Sequence, residues 1–473
     1  MVACATIFQY ICDRFNFENK RLKLLKNNNH ILADERVGRL LVKLSTPAML
    51  AMFVMALYNM VDTIYIGRGV GPLAIAGITI VFPIQMVVMA IAMMLGIGSA
   101  SIISRALGAG DYEKANKTLG NIIVLVIGFG LLMATLGNIF LDDLLRIFGA
   151  SGNILPFARD YASIILYGTV FHSFAMASNN IVRSEGRAKI AMMTMLISAI
   201  LNIILDPIFI FGLKMGVRGA ALATVISQIV TVIYLVHYFF TGKSSLKIRV
   251  GDLQPDKRII LETFAIGSAS FFRQISGSIL IIIMNNTLKV YGGDLSIAAF
   301  GIMHRLLMFV AMPIFGIAQG LQPITGFNYG AGRYDKVRRG LTLAIRASTI
   351  MGLCGTLILI AFTRPLLTIF TNNQELLDLG SNALRIYILA FPLFGFQVIG
   401  STLFQALGKA KQALGLTVGK QLFVALMVLI LPRLLQLNGV WLTFPITDVV
   451  FFFVTLAFYL AQMREFDTKI AKV

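Results

Sequence analysis

Two aspartates lie inside long apolar segments of this sequence, where an acidic side chain is rare. Asp62 occurs in ALYNMVDTIYIG and Asp206 occurs in LNIILDPIFIFG. An aspartate at the centre of a lipid bilayer costs about 2.5 to 3.5 kcal/mol on insertion scales, so such residues usually face a cavity or a polar partner. We therefore expect this pair to bind an ion, or else to make a buried structural contact.

Helical spacing predicts which polar groups accompany the two carboxyls. Asn202 precedes Asp206 by four residues, which places both side chains on one helix face. Pro207 interrupts the helix hydrogen bonds and leaves a carbonyl oxygen free, and Thr224 is expected at a similar depth in the next helix. Oxygen atoms of these kinds suit a proton or a hard cation such as Na+. The predicted cation site consists of Asp62, Asn202, Asp206 and Thr224.

A cation site of this kind is useful only if its charge can change. Burial and mutual repulsion both disfavour two ionised carboxyls, so the pair can hold a proton near neutral pH and release it when a cavity opens. The simpler alternative is that either aspartate reaches the outer interface, or makes a structural hydrogen bond between helices.

Two further residues are weaker candidates for a substrate cavity. Arg273 lies well inside an apolar stretch, where it either lines a pocket or extends its side chain to water. Met60 belongs to a cluster of methionines, whose thioethers repack around varied apolar ligands or simply fill a core. The sequence has no HExxH, Walker A loop or nucleophile elbow, and GAGDYE lacks the last glycine of a dinucleotide fingerprint. We expect neither an enzyme nor a cofactor other than a coupling ion.

The elements that position these residues are predicted to be membrane helices. Hydrophobic residues make up 57% of the 473 residues and charged residues 13%, against about 25% charged in soluble domains. Hydrocarbon about 30 Å thick requires roughly 20 apolar residues per helix. Twelve such stretches are centred near Val54, Val87, Ile127, Phe171, Met195, Ile229, Ile279, Met308, Met351, Phe391, Leu426 and Phe452. The predicted fold class is an all-α membrane protein with twelve transmembrane helices.

Three sequence matches at one spacing indicate an internal duplication. LGAGDYEKA at residue 107 returns as YGAGRYDKV 222 residues later, and LLRIFG and GRAK return at the same offset as LLTIFT and GKAK. Six spans per half enter the membrane in the same sense, which predicts two six-helix lobes related by a pseudo-two-fold axis along the membrane normal, as in many secondary transporters. The predicted divisions are an arm at 1–34, lobes at 35–240 and 259–463, a linker at 241–258 and a tail at 464–473.

The basic residues predict the orientation of the helices. The net charge is +19, but Lys and Arg are scattered among alternate loops, without the aromatic and basic patch of a nucleic-acid site. They concentrate at both termini and in the 2–3, 4–5, 6–7, 8–9 and 10–11 loops, so the positive-inside rule places these regions in the cytoplasm. The three cysteines predict no disulfide framework. We expect a monomer in the lipid bilayer of the cell membrane, with no nucleic-acid partner.

The same segments resemble the multidrug and toxic compound extrusion family, and its prokaryotic branch most closely. The resemblance covers roughly residues 37–462 and rests on ALYNMVDTIYIG, LGAGDYEKA, RSEGRAK, LNIILDPIFIFG, GVRGAALATVISQ and MNNTLKVYGGD. It implies a two-lobe antiporter that exports cationic amphipathic small molecules in exchange for H+ or Na+.

The resemblance also implies roles for individual residues. In similar proteins a first-lobe ion site is built at the positions that match Asp62, Asn202, Asp206 and Thr224. A tyrosine at the position of Tyr161 supports that site, and helix 1 bends at the position of Pro47, where a helix hydrogen bond is missing. The apolar parts of helices 7 and 8 lack the acid through which branches with a second-lobe carboxylate couple.

A lipid-linked oligosaccharide flippase is the alternative interpretation, because such proteins resemble this family distantly. A flippase requires a cationic lumen for pyrophosphate, part of which Arg273, His304 and Arg305 can supply. Twelve spans and the acid pair favour the exporter.

Overall fold

The computed structural model describes residues 31–33, 36–241 and 244–471. Most of the predicted arm at 1–34, two residues of the predicted linker and the last two residues of the tail therefore lie outside the described residues. Within the described ranges the chain is helical and contains no strand.

Twelve helices in the described part of the chain are long enough to span a bilayer. The first six are α1 (Val37–Gly69), α2 (Pro72–Ala109), α3 (Tyr112–Ile139), α4 (Leu155–Ser184), α5 (Ala188–Gly212) and α6 (Gly216–Phe240). The second six are α7 (257–292), α8 (294–330), α9 (Tyr334–Ala361), α10 (Gln374–Leu407), α11 (410–435) and α12 (437–470). The predicted all-α fold is confirmed.

Two helix pairs in the second half are joined without a loop. Residues Lys257–Gly330 form one helical run that breaks only at Gly293, where φ is 66°. Residues Ala410–Ile470 break in the same way at Gln436, where φ is 50°. Positive φ is inexpensive for glycine but costly for glutamine, so the backbone is strained at Gln436 and not at Gly293. Each break separates two helices of membrane-spanning length.

The duplicated sequences occupy equivalent places in the two halves. Gly110 and Gly332, in the repeated GAG turns, have left-handed φ values of 76° and 73°. The short helices Leu141–Ile147 and Thr363–Thr368 contain the first part of the other repeated segment and precede α4 and α10. The repeat is therefore structural, and each copy builds one six-helix lobe.

Glycines bring the lobes into close contact at the end of the bundle where α1 begins, which we call the termini side. A Cβ on Gly98 of α2 would overlap the carbonyl oxygen of Thr263 in α7, and one on Gly108 would overlap that of Phe327 in α8. Among the described residues, every glycine whose added Cβ would overlap an atom of the opposite lobe lies in this half of the bundle. The lobes are closed at the termini side.

Polar contacts reinforce this closed interface. Glu262 of α7 accepts from Arg105 of α2 at 2.9 Å and from Lys114 of α3 at 3.0 Å. Arg183 of α4 donates to the side-chain oxygen of Gln319 in α8 at 2.6 Å. Because these contacts join opposite lobes, they must break if the termini side opens.

The segment between the lobes is fastened to the first lobe by the carboxylate of Glu185, which follows α4. Its oxygens accept hydrogen bonds from the Ser244 hydroxyl (2.7 Å), the backbone N–H groups of Ser245 (2.6 Å) and Leu246 (3.2 Å), and the Tyr238 hydroxyl (2.9 Å). Burial raises the pKa of Glu185, and these hydrogen bonds oppose the shift. The linker start is therefore held at a buried acidic group.

Candidate cation site

Three helices of the first lobe bring the predicted polar residues to one depth. Asp62 lies seven residues before the end of α1, and Asp206 lies six residues before the end of α5. Thr224 lies eight residues after the start of α6. At about 1.5 Å per residue, all three are roughly 9 to 12 Å from the same end of the bundle, opposite the termini side. We call this end the far side.

The side chains of the predicted site are in contact. Asp206 is fully buried and Asn202 is 1% exposed, and the carboxyl groups of Asp62 and Asp206 lie next to each other. With its amide nitrogen turned toward Asp206, Asn202 donates to Asp206 Oδ2 at 2.8 Å, while its oxygen lies 3.2 Å from Thr224 Oγ1. This orientation gives both ends of the Asn202 amide a partner. The four residues form one connected polar cluster.

The cluster has excess negative charge and free oxygen atoms. Two adjacent ionised carboxylates repel each other in a site with little water, so the pair favours a shared proton or a bound cation. One oxygen of each acid, Oδ1 of Asp62 and Oδ1 of Asp206, is buried without a hydrogen-bond partner. Buried polar atoms are normally satisfied, so these oxygens are suited to a proton or to Na+.

Two tyrosines surround the carboxyls, and one of them was not predicted. The Tyr58 hydroxyl hydrogen-bonds Thr224, and its half-buried ring lies beside both acids. Tyr161 is 4% exposed and also lies near both acids, but its hydroxyl hydrogen-bonds Gln85 of α2. Tyr58 precedes Asp62 by four residues, so helical spacing was a usable signal for it. No sequence signal connects Gln85 to the site.

The remaining predicted residues lie outside this cluster. Arg273 of α7 makes no ion pair with either acid, and its neighbour Gln274 contacts Met86 of α2. Met60 is 63% exposed and, two residues from Asp62, lies on a different helix face. Helix α1 continues through Pro47. Roles in a substrate cavity or a hinge remain predictions for these three residues.

Comparisons with known proteins agree with this architecture. The MatE family profile matches residues 47–208 and 269–431, one match in each lobe. The multidrug export protein MepA of Staphylococcus haemolyticus is 27% identical over 423 residues, covering 89% of this chain and 93% of the relative. The two starts of the family match are separated by the same 222 residues as the sequence repeat.

Solved structures match over nearly the full chain. A crystal structure of MATE in the bent conformation is 30% identical with a TM-score of 0.87, covering 96% of this chain and 99% of that one. An outward-facing multidrug resistance MATE family transporter is 29% identical with a TM-score of 0.87, covering 93% and 99%.

Twelve helices in two repeated lobes, with a buried polar cluster in one of them, define a multi-pass membrane transporter rather than an enzyme. The chain belongs to the MatE family of transporters.

Proposed function

We propose that this transporter is a secondary active multidrug exporter that exchanges cationic amphipathic compounds for H+ or Na+. The observation that carries the proposal is the acid pair, because Asp62 and Asp206 each keep a buried oxygen without a partner. The multidrug export function of the MepA relatives supports the substrate class. The ion site consists of Asp62, Asn202, Asp206 and Thr224, supported by Tyr58 and Tyr161.

The acid pair couples ion and drug through the state of the lobes. We place the termini in the cytoplasm, so the closed termini side faces the cytoplasm, as expected of an outward-facing state. Binding of H+ or Na+ neutralises the acids in this state and favours drug release and the return to the inward-facing state. Coupling requires ion and drug to have opposed affinities for one state, because a ligand that binds both states equally shifts nothing.

The proposal also includes the location of the protein, its oligomeric state and its domain boundaries. We place the protein in the cell membrane as a monomer, with lobes at 35–240 and 259–463, a linker at 241–258, an arm at 1–34 and a tail at 464–473. The ring of Pro47 removes one helix hydrogen bond in α1, so α1 is the helix expected to bend as the lobes move.

Separate ion gradients test the exchange directly. Proteoliposomes loaded with ethidium receive an inward pH gradient, an inward Na+ gradient or neither, with the membrane potential clamped by K+ and valinomycin. We expect one gradient to accelerate ethidium release and so to identify the coupling ion. Equal release under all three conditions would overturn the antiport mechanism.

A lipid pyrophosphate distinguishes the exporter from the flippase alternative. An exporter binds ethidium, and the lipid pyrophosphate does not displace it. Tight binding of the lipid pyrophosphate, with no ethidium binding, would favour the flippase.

A further inference from the structure

A buried ion pair lies in the second lobe, away from the site described above. Lys420 Nζ of α11 lies 2.7 Å from Asp448 Oδ1 of α12, and the two side chains are 22% and 12% exposed. Lys420 also donates to the side-chain oxygen of Gln397 in α10 at 2.6 Å. Lys420 is ten residues into α11, or about 15 Å along the helix. The pair is therefore at membrane depth, where charged residues are rare and commonly functional.

The ammonium group of Lys420 occupies a site with the composition of an organic-cation receptor. It lies 5.1 Å from the centre of the Phe394 ring, and that ring stacks on Phe391 at 5.3 Å. The Gln397 amide nitrogen donates to the backbone oxygen of Asp448 at 2.8 Å, which turns the amide oxygen toward Lys420. A carboxylate, an amide oxygen and an aromatic face are the groups that bind ammonium ions.

The internal repeat places this pair in the helices equivalent to those of the first-lobe site. Adding the 222-residue offset to Asn202 and Thr224 gives positions 424 and 446. Lys420 is one turn before the first position, and Asp448 is two residues after the second. The two lobes therefore both carry an acidic cluster on this helix pair, but only the second cluster contains a cation supplied by the chain.

We propose that Asp448, Gln397 and the Phe394 ring form a second cation site, and that the Lys420 ammonium fills it as a tethered ligand. The external ligands of this site are primary ammonium ions, the charged group of many amphipathic amines. A tethered group competes at a high effective concentration, so such ligands bind the wild type weakly. The geometry alone carries this inference, and only the natural ligand depends on the proposed exporter function.

Removing the tethered cation should open the site to a free one. Purified K420A in detergent is titrated with n-butylammonium chloride, with sodium chloride at equal ionic strength as the reference. Trp441 is the single tryptophan of the chain, is 1% exposed, and lies two helical turns before Asp448 in α12. We expect a saturable change in Trp441 fluorescence and a matching rise in unfolding temperature, because a ligand that binds only the folded state stabilises it.

Two further proteins make the test decisive. The wild type should respond only weakly, and the double variant K420A/D448N should show no response beyond that of sodium chloride. An unresponsive K420A, or an equal response of K420A/D448N, would overturn the proposal and leave a purely structural ion pair. K420A leaves a buried carboxylate unpaired, which is destabilising. If K420A does not fold, K420Q, whose neutral side chain can still donate to Asp448, replaces it and is judged by the same criterion. Adding D206N to K420A should leave the n-butylammonium response unchanged. Failure of the proposed first-lobe coupling is therefore distinguishable from failure of this second cation site.

Discussion

Asp206 is fully buried and Asp62 is half-buried beside it, and neither makes an ion pair with a basic residue that the structure describes. A buried acid without a basic partner normally neutralises itself or binds a cation. The neighbouring groups, Asn202, Thr224 and Tyr58, orient the acids without neutralising them. The site therefore needs a cation or proton from outside the protein.

The hydroxyl of Tyr58 is expected to raise the coupling-ion affinity of this site moderately. Y58F removes its hydrogen bond to Thr224, which should cost about 1 kcal/mol, or roughly a fivefold loss of coupling-ion affinity. The ion dependence of ethidium release measures this affinity. Y167F, on a tyrosine that is 64% exposed in α4, is the matched control and should behave as the wild type. Unchanged affinity in Y58F would remove Tyr58 from the site.

Helical spacing predicted the contacts within one helix of this site. The contacts between helices depend on how the helices pack, which helical spacing does not predict. Asn202 and Asp206 share a face of one helix, so their contact follows from the sequence. The hydrogen bond of Tyr161 to Gln85 depends on how α4 packs against α2, which no local pattern encodes. Lys420 was not recognised because a single lysine in an apolar run has the same pattern whether it pairs or reaches water.

The helices of the two lobes meet through backbone contacts that only glycine permits. α2 packs against α7 and α8 at Gly98 and Gly108, so a side chain at either position must separate helices. The sequence predicted twelve spans from their hydrophobicity. It did not predict which spans cross closely, because glycines also occur in open positions such as Gly128.

A methyl group at Gly98 should shift the lobes away from the closed arrangement. G98A places a Cβ against the Thr263 carbonyl, an overpacking cost of about 1 to 3 kcal/mol, or roughly a 5- to 150-fold change in the population ratio. Spin labels at Glu113 and Arg339, one on each lobe, should then report a longer distance. G128A, which meets no atom within 4 Å, should keep the wild-type distance. Identical distances in both variants would argue against this interface as a gate.

The Glu185 contact with the linker should make stability depend on pH. Its pKa in the folded protein is raised above the ordinary value of 4.5, so the folded state binds the proton more tightly than the unfolded chain. This contribution is present below that value and is lost as the pH rises through the folded pKa. The unfolding temperature of the wild type relative to E185Q should therefore fall as the pH rises from below 4.5 through the raised folded-state pKa of Glu185. E375Q, at an exposed glutamate of α10, is the control, and a pH-independent difference for E185Q would contradict the assignment.

The whole molecule is a duplicated bundle whose two halves have diverged in charge. In the first lobe, Asp62 and Asp206 have no basic side chain among the described residues as a partner. In the second lobe, Asp448 forms an ion pair with Lys420. The duplication was visible in the sequence because loop segments such as GAGDY and GAGRY were retained. The divergence of the buried polar groups was not visible, because their partners come from different helices.

The orientation of the molecule can be tested with fused reporters. The positive-inside rule places both termini in the cytoplasm and the α9–α10 connection outside. Alkaline phosphatase inserted at residues 371–373 should be active, and a fluorescent protein after residue 473 should fold in the cytoplasm. The reverse activities would invert the proposed transport direction.

Ion-driven ethidium release from proteoliposomes containing D206N tests most directly whether Asp206 couples the ion to drug export. Our account predicts that D206N loses acceleration by the coupling-ion gradient but still allows ethidium to move down its own gradient. D378N, at an acid whose side chain is 66% exposed in α10, should retain full acceleration. Gradient-driven release by D206N at the wild-type rate would contradict the account.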